Sequence, residues 1–339
     1  MRALVCERPG HVALMEVPEP QPGPGEAVVR VESALTCGTD LKLIRRGHPK
    51  VPFPTVLGHE YCGRVVRAGA GVPFAVGERV VSGVSGACGE CPDCREGRPN
   101  HCPTAFDHAV WGTWAEQVLI PARVVASTLL RVPDELSSNA AALLDPLASV
   151  LRGLGRLPDP SGRTVLVLGS GPIALMFTSL LYRRGAARVL VAGRNAGRLA
   201  AHASLGAETL SMRESLGPQV RDRSGSRGAE LVVETTGAPE VAEEEAPGLA
   251  ARGGTVLLFA GLAREARLPV LAHRVHYDEV TLAGSFHYTP EDARTALDLL
   301  LRGELPIGLL VTSESSLERH PFVLERLSRG EEMKVAFRP

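Results

Sequence analysis

Thr164-Val-Leu-Val-Leu-Gly169-Ser-Gly171-Pro-Ile-Ala174 decides the fold of this chain. Thr164 to Gly169 is a continuous apolar run closed by glycine, which suits a strand buried on both faces. Gly169, Gly171 and Ala174 follow the Gly-x-Gly-x-x-Gly/Ala spacing, and about Pro172 to Arg184 reads as a helix. Strand, glycine turn and helix in that order form a dinucleotide site. The first glycine permits the tight turn, and the second lets a pyrophosphate approach the backbone. Small Ala174 lets helix and strand pack closely, and the helix N-terminus draws the phosphates. The expected contacts are Gly169, Ser170, Gly171, Pro172 and Ile173.

Downstream, Arg188 to Ala192 reads as a second strand. Further apolar strands fall at Leu231–Val233, Thr255–Phe259 and Val280–Ala283, with helix-compatible segments between most of them. This alternation predicts an α/β domain built on a doubly wound parallel sheet. A site for NAD places Asp or Glu at the end of the second strand, about 20 residues after the glycines. Here that end reads Ala192-Gly193-Arg194-Asn195, with Arg198 one helical turn on. A carboxylate would repel a 2′-phosphate, whereas arginine can clamp one bidentately. NADP is therefore the preferred coenzyme, with NAD possible if Arg194 is only a solvated surface residue. Thr236, Ala260, Ser285 and Phe286 complete the expected coenzyme contacts.

Upstream, the first ~130 residues read as β-rich. Glu26-Ala-Val-Val-Arg-Val-Glu-Ser33 alternates with period two, and glycines punctuate the segment. The pattern changes after Pro158-Asp159-Pro160. After Phe286 the chain closes with a helix near Pro290–Arg302 and then irregular or strand-like sequence. A length of 339 residues fits two domains. A net charge of −1 gives no sign of a nucleic-acid or acidic-membrane partner. No apolar stretch reaches the roughly 18–20 residues of a membrane span, and the N-terminus does not read as a signal peptide. Seven cysteines is an odd number, and four are clustered, which predicts a reducing, cytoplasmic setting. Cys6 and Cys62 read as buried small apolar residues, and His48, His101 and His108 as surface or structural histidines.

The clustered four are Cys88, Cys91, Cys94 and Cys102. Four thiolates at this spacing suit one tetrahedral zinc and leave no open position, so this zinc is expected to be structural. Two disulfides or a redox Cys-x-x-Cys are the alternative. Chemistry must then lie elsewhere. Cys37-Gly38-Thr39-Asp40, Gly58-His59-Glu60 and Leu144-Asp145-Pro146-Leu147 offer a thiolate, an imidazole and carboxylates. A catalytic zinc takes three protein ligands and keeps one position open. Spacing alone puts forward Cys37 and His59, with Asp145 a further candidate.

These residues, with Gly63, Gly69, Val72 and the glycine turn at 169–174, run in one order along nearly the whole chain. In this the chain resembles the zinc-containing medium-chain dehydrogenase/reductase superfamily, and within it the sorbitol and threonine dehydrogenase branches. The resemblance implies a GroES-like catalytic domain at 1–146 and 286–339, with the zinc lobe at 86–103. A Rossmann domain is implied at 147–285. It implies two zincs per chain, with Cys37, His59 and Asp145 around the catalytic one. Glu60 is either a direct ligand, exchanging with substrate, or a group that orients one.

The implied reaction is hydride transfer between NADP and a secondary alcohol, such as a polyol, sugar, amino alcohol or aminocyclitol. Zinc polarises the substrate oxygen, and the Thr39 hydroxyl takes the alcohol proton. The runner-up is an NAD-dependent threonine- or sorbitol-dehydrogenase-like activity. Where the family often has a relay histidine, this chain has Lys42. Lys42 is expected either to meet a coenzyme phosphate or ribose or, if burial lowers its pKa, to relay the proton. Ser285-Phe286-His287-Tyr288 resembles a Phe-Arg-Tyr segment that borders nicotinamide and substrate, with histidine in place of arginine. Trp111 and Trp114 either wall the substrate pocket or pack in the core. A homodimer or homotetramer acting on a small molecule is implied.

Overall fold

The computed structural model describes residues 1–47, 51–242, 246–268 and 271–339. His48 lies outside the described residues. Two units divide the chain: Met1–Ala148 with Tyr288–Pro339, and Ser149–His287.

The first unit opens with β1 (Arg2–Arg8), β2 (His11–Glu16), β3 (Ala27–Leu35), β4 (Thr55–Val56), β5 (Glu60–Ala68), β6 (Arg79–Val81), β7 (Gln117–Ile120) and β8 (Leu130–Arg131). The second unit carries β9 (Thr164–Leu168), β10 (Arg188–Gly193), β11 (Glu208–Ser211), β12 (Ala229–Glu234), β13 (Ala250–Leu258) and β14 (Thr281–Gly284). The chain then returns to the first unit with β15 (Val311–Ser316) and β16 (Lys334–Arg338).

In the second unit the strands lie in the order β11-β10-β9-β12-β13-β14, all parallel. This is the doubly wound order that the alternating strands and helices predicted. The order reverses between β9 and β12, which puts the loop after β9 at the switch point, where ligands bind in such sheets. Val165 to Leu168 and Val189 to Ala192 are fully buried, so β9 and β10 lie inside the sheet with both faces covered. Burying each Val or Leu here stabilises by about 1.5–3 kcal/mol. The helix Pro172–Arg183 follows, with Pro172 at its first position, where a missing N–H costs nothing. The sequence pattern gave no sign of β11. It is a short edge strand, half polar and only partly buried.

In the first unit a sheet runs β15-β16-β3-β5-β6-β8, with β7 also pairing β3. A smaller sheet joins β2, β1 and β4. The core between them gathers Leu4, Val29, Tyr61, Val80, Trp114 and Phe337. The segment after the helix Pro290–Leu301, which reads as irregular or strand-like in sequence, supplies β15, β16 and the helix His320–Arg329. β16 pairs antiparallel with β3, Ala336 opposite Leu35. Among the described residues no helix is long and apolar enough to cross a membrane.

Candidate active site

Strand register assembles the first centre. β3 and β5 pair with Leu35 opposite Glu60, so the residues after Leu35 and those before Glu60 share one end of the sheet. Cys37 and His59 lie there. Extending the β16–β3 register brings Lys334 opposite Cys37; Val335 and Thr36 bond each other on the way. Gly58 makes this close approach possible. Its φ is +91°, and a Cβ there would fall 2.3 Å from the Trp114 ring.

One ligand atom each from Cys37, His59 and Glu60 lies within 4.8 Å of the others. His59 and Glu60 are buried. Asp40 sits on the first turn of the helix Gly38–Arg46, where its Oδ2 accepts the Cys37 N–H at 3.1 Å. Its Oδ1 lies 3.1 Å from His59 Nδ1 and fixes the ring, which turns the Nε2 lone pair of the neutral imidazole away from Asp40. Burial disfavours a charged His59, but Asp40 and the Cys37 sulfur outweigh it and raise its pKa well above the ordinary value. The centre favours positive charge.

Lys334 is also buried, 2.5 Å from Glu60 Oε2 and 3.0 Å from the Thr36 carbonyl. Burial disfavours its charge, yet Glu60, Cys37 and Asp40 raise its pKa. The other Glu60 oxygen, Oε1, is buried with no hydrogen-bond partner. A thiol, an imidazole nitrogen and an orphaned carboxylate oxygen within one small space fit a zinc ion.

Asp145 is not brought into this group. Its Oδ1 accepts the Val84 N–H at 2.8 Å and the Tyr288 hydroxyl. Hydrogen bonds hold its carboxylate, and the carboxylate that stands with Cys37 and His59 is that of Glu60. Thr39 lies exposed on the same helix as Asp40. Lys42 is exposed too. Trp111 meets the His59 ring edge-on, centroids 5.2 Å apart. Trp114 is a core residue, fully buried against Phe337 and donating to the Leu35 carbonyl. Asp40, Lys334 and Tyr288 were missed as site residues from sequence. Asp40, three residues after Cys37, and Tyr288, at the end of the Ser285–Tyr288 segment, carried a signal; Lys334 carried none.

The four-cysteine lobe is a second centre in this unit. Its sulfurs lie within 4.8 Å of one another, and none forms a disulfide. Cys88 donates its N–H to Cys102 Sγ at 3.4 Å, and Cys91 donates to Cys88 Sγ at 3.3 Å. Burial alone would raise Cys102, but the Cys88 N–H and Thr104 bring its pKa down to about 6. N–H groups aimed at sulfur suit thiolates, and four thiolates suit zinc. His101 and His108 are exposed, and Cys6 and Cys62 are buried.

In the second unit the glycine loop follows β9. A Cβ on Gly171 would meet nothing within 4 Å, so open space lies over the loop at the N-terminus of a twelve-residue helix. Ser170 is buried, and Pro172 and Ile173 are half-buried. Gly193 ends β10, and Asn195 caps the next helix, its side chain accepting the Arg198 N–H at 2.9 Å. Arg194 is exposed, with Glu240 3.9 Å away, and Arg198 is half-buried. Burial lowers the Arg198 pKa. Thr236 donates its N–H to Glu234 Oε1 at 2.6 Å. Ala260 and Ser285 are half-buried, and Phe286 is exposed. An open glycine loop with two arginines at the next strand end fits a phosphorylated dinucleotide.

Residues 23–134 match the model of the alcohol dehydrogenase GroES-like domain, and residues 172–302 that of the zinc-binding dehydrogenase domain. The chain is 33% identical to D-altritol 5-dehydrogenase of Agrobacterium fabrum, over 99% of both chains. It is 32% identical to sorbitol dehydrogenase of Gallus gallus, over 98% of this chain and 95% of that one. Among solved structures, a zinc-binding dehydrogenase of Sinorhizobium meliloti bound to NADP superposes with a TM-score of 0.87 at 30% identity. It covers 100% of this chain and 99% of that one.

Proposed function

Because the chain belongs to the zinc-containing medium-chain dehydrogenase/reductase family, we propose that it oxidises a secondary alcohol of the polyol or sugar class with NADP, giving the ketone. The observation that carries this is the group of Cys37, His59 and Glu60, with its orphaned carboxylate oxygen. Cys37, His59 and Glu60 hold the catalytic zinc, and Cys88, Cys91, Cys94 and Cys102 the structural one. Zinc supplies Lewis acidity toward the alcohol oxygen, and NADP accepts the hydride.

The protein's own residues do the rest. Asp40 orients His59, Lys334 balances the charge of Glu60, and Thr39 takes the alcohol proton. Trp111, beside His59, supplies an apolar wall. Arg194 and Arg198 hold the 2′-phosphate, supported by the NADP bound to the Sinorhizobium relative. Exposed Lys42 is free to reach a coenzyme phosphate.

Initial rates on zinc-replete protein, across polyols, sugars, amino alcohols and simple secondary alcohols with NADP and with NAD, test the reading. Turnover of polyols with NADP is expected; turnover with NAD alone overturns the coenzyme assignment. Arg194→Ala removes a charge-assisted contact worth about 1.5–3 kcal/mol, so the KM for NADP rises roughly tenfold to a hundredfold. Equal effects on NAD would remove Arg194 from the phosphate site.

Seven cysteines without a disulfide support a cytoplasmic setting. A homo-oligomer is supported by the edge strand β14 and by Leu271 and Tyr277, both 71% exposed, on and next to the helix Ala272–Tyr277 that precedes it in the chain. An open strand edge with apolar neighbours suits a second copy. Sedimentation velocity of Leu271→Asp/Tyr277→Asp is expected to show a smaller species than the parent; an unchanged coefficient places the interface elsewhere.

A further inference from the structure

One carboxylate stands beside the Cys37, His59 and Glu60 group without joining it. Asp145 lies on the first turn of the helix Leu144–Leu154 and is buried. Extending the β5–β6 register from Gly63 opposite Val80 brings Val84, whose N–H Asp145 accepts, level with His59. A carboxylate so close to a cation site is drawn toward the cation unless something holds it.

Two donors hold it. The Tyr288 hydroxyl and the Val84 N–H both meet Asp145 Oδ1. The same Val84 N–H lies 2.7 Å from the Tyr288 oxygen, so phenol, amide and carboxylate form one closed cluster. Hydroxyl donation to an ionised carboxylate is among the strong hydrogen bonds. Tyr288 itself is 3% exposed. The backbone is shaped around it: a Cβ on Gly83 would fall 2.3 Å from the hydroxyl oxygen and 2.9–3.0 Å from ring carbons. Only glycine there lets the phenol lie against residues 83–84. Tyr288 is also the first residue of the segment that returns to this unit. The cluster therefore ties the returning chain to the edge of the metal centre.

We propose that Tyr288 is a positioning residue that fixes Asp145 as a hydrogen-bonded neighbour of the catalytic metal and keeps it out of the ligand set. This rests on the reading of Cys37, His59 and Glu60 as a metal centre. With Asp145 held, the metal has three protein ligands and keeps a position for the substrate oxygen. With Asp145 released, a fourth protein ligand competes for that position.

Cobalt(II) in place of zinc tests this, because its visible bands shift and weaken as coordination number rises. No alcohol or coenzyme is needed, and the four-cysteine centre contributes equally to every variant, so it cancels in difference spectra. Asp145→Asn is expected to keep the parent spectrum, since the residue is not a ligand. Tyr288→Phe is expected to shift and weaken the bands, and Tyr288→Phe/Asp145→Asn to restore them. Gly83→Ala, whose methyl group displaces the phenol, gives the same reading if Tyr288→Phe does not fold. A changed spectrum in Asp145→Asn makes Asp145 a ligand and overturns the proposal. So does an unchanged spectrum in both Tyr288→Phe and Gly83→Ala. If the parent binds one cobalt instead of two, the metal centre itself is wrong and the proposal falls with it; two bound cobalts with silent variants sink Tyr288 alone.

Discussion

Lys334→Met is expected to destabilise the first unit by about 3–5 kcal/mol, the usual result of removing one partner from a buried ion pair. Lys334 is 2% exposed, and its Nζ lies 2.5 Å from Glu60 Oε2. Glu60 is 1% exposed, and its second oxygen has no hydrogen-bond partner. Removing the amine leaves a carboxylate charge stranded in the core, along with the Thr36 carbonyl that Lys334 also served. Methionine fills the volume, so the loss is electrostatic rather than a cavity. Pairing the change with Glu60→Gln removes the stranded charge and should recover more than half of the loss. Metal loading should shrink it, because a cation held by Cys37 and His59 takes over part of the compensation. Urea unfolding of metal-free and zinc-loaded protein, with and without the paired change, measures all three. Equal stability of parent and Lys334→Met in metal-free protein would mean that Glu60 is already protonated there.

The second unit is expected to weaken as pH falls from about 6.5 to about 4. His202 is fully buried on the helix Ala196–Ala203, its Nδ1 2.9 Å from Thr178 Oγ1. Thr178 donates its own proton to the Ala174 carbonyl at 2.9 Å, so its oxygen accepts and His202 carries its proton on Nδ1. Nε2 is then a bare acceptor, buried with no hydrogen-bond partner. Burial pushes the His202 pKa down from 6.5 to about 4. Between those values the unfolded chain binds a proton that the folded one refuses. Stability is therefore complete above pH 6.5 and falls by about 1.4 kcal/mol per pH unit below it, roughly 3 kcal/mol by pH 4. His202→Asn can keep the N–H toward Thr178 and cannot titrate, so its stability should depend less on pH across this window. Parallel pH slopes for parent and variant in urea unfolding would remove His202 as the cause.

The second unit was the more legible part of the sequence. A strand buried on both faces, such as β9, is a continuous apolar run, and glycine, helix and arginines follow it within some thirty residues of chain. β11 escaped because Glu208-Thr-Leu-Ser211 lies at the sheet edge, half polar and too short to show a period. In the first unit Cys37, His59 and Glu60 stand out as residue types. Their surroundings do not. Lys334 pairs with Glu60 across 274 residues, and Tyr288 meets Asp145 across 143. Strand register and the slot over Gly83 create both meetings, and neither leaves a local pattern. Asp145 is alike: its hydrogen-bond donors, Val84 and Tyr288, lie 61 and 143 residues away. Trp111 and Trp114 are alike in sequence, yet one meets His59 and the other the core. Gly112, at φ +96°, turns the backbone between them.

The pairing of β16 with β3 also orders the protein's birth. β3 is made early, and its partner, with Lys334, only after the whole of Ser149–His287 has been synthesised. The second unit is one unbroken stretch and can fold as soon as it leaves the ribosome, whereas the first, with β3 already beside β5 and β7, must wait for the strand that completes its far end. Zinc delivered before Lys334 emerges would meet Cys37, His59 and Glu60 on a sheet still missing a strand. The lysine that pairs with Glu60 thus joins the centre only at the end of synthesis, after the whole stretch that forms the second unit.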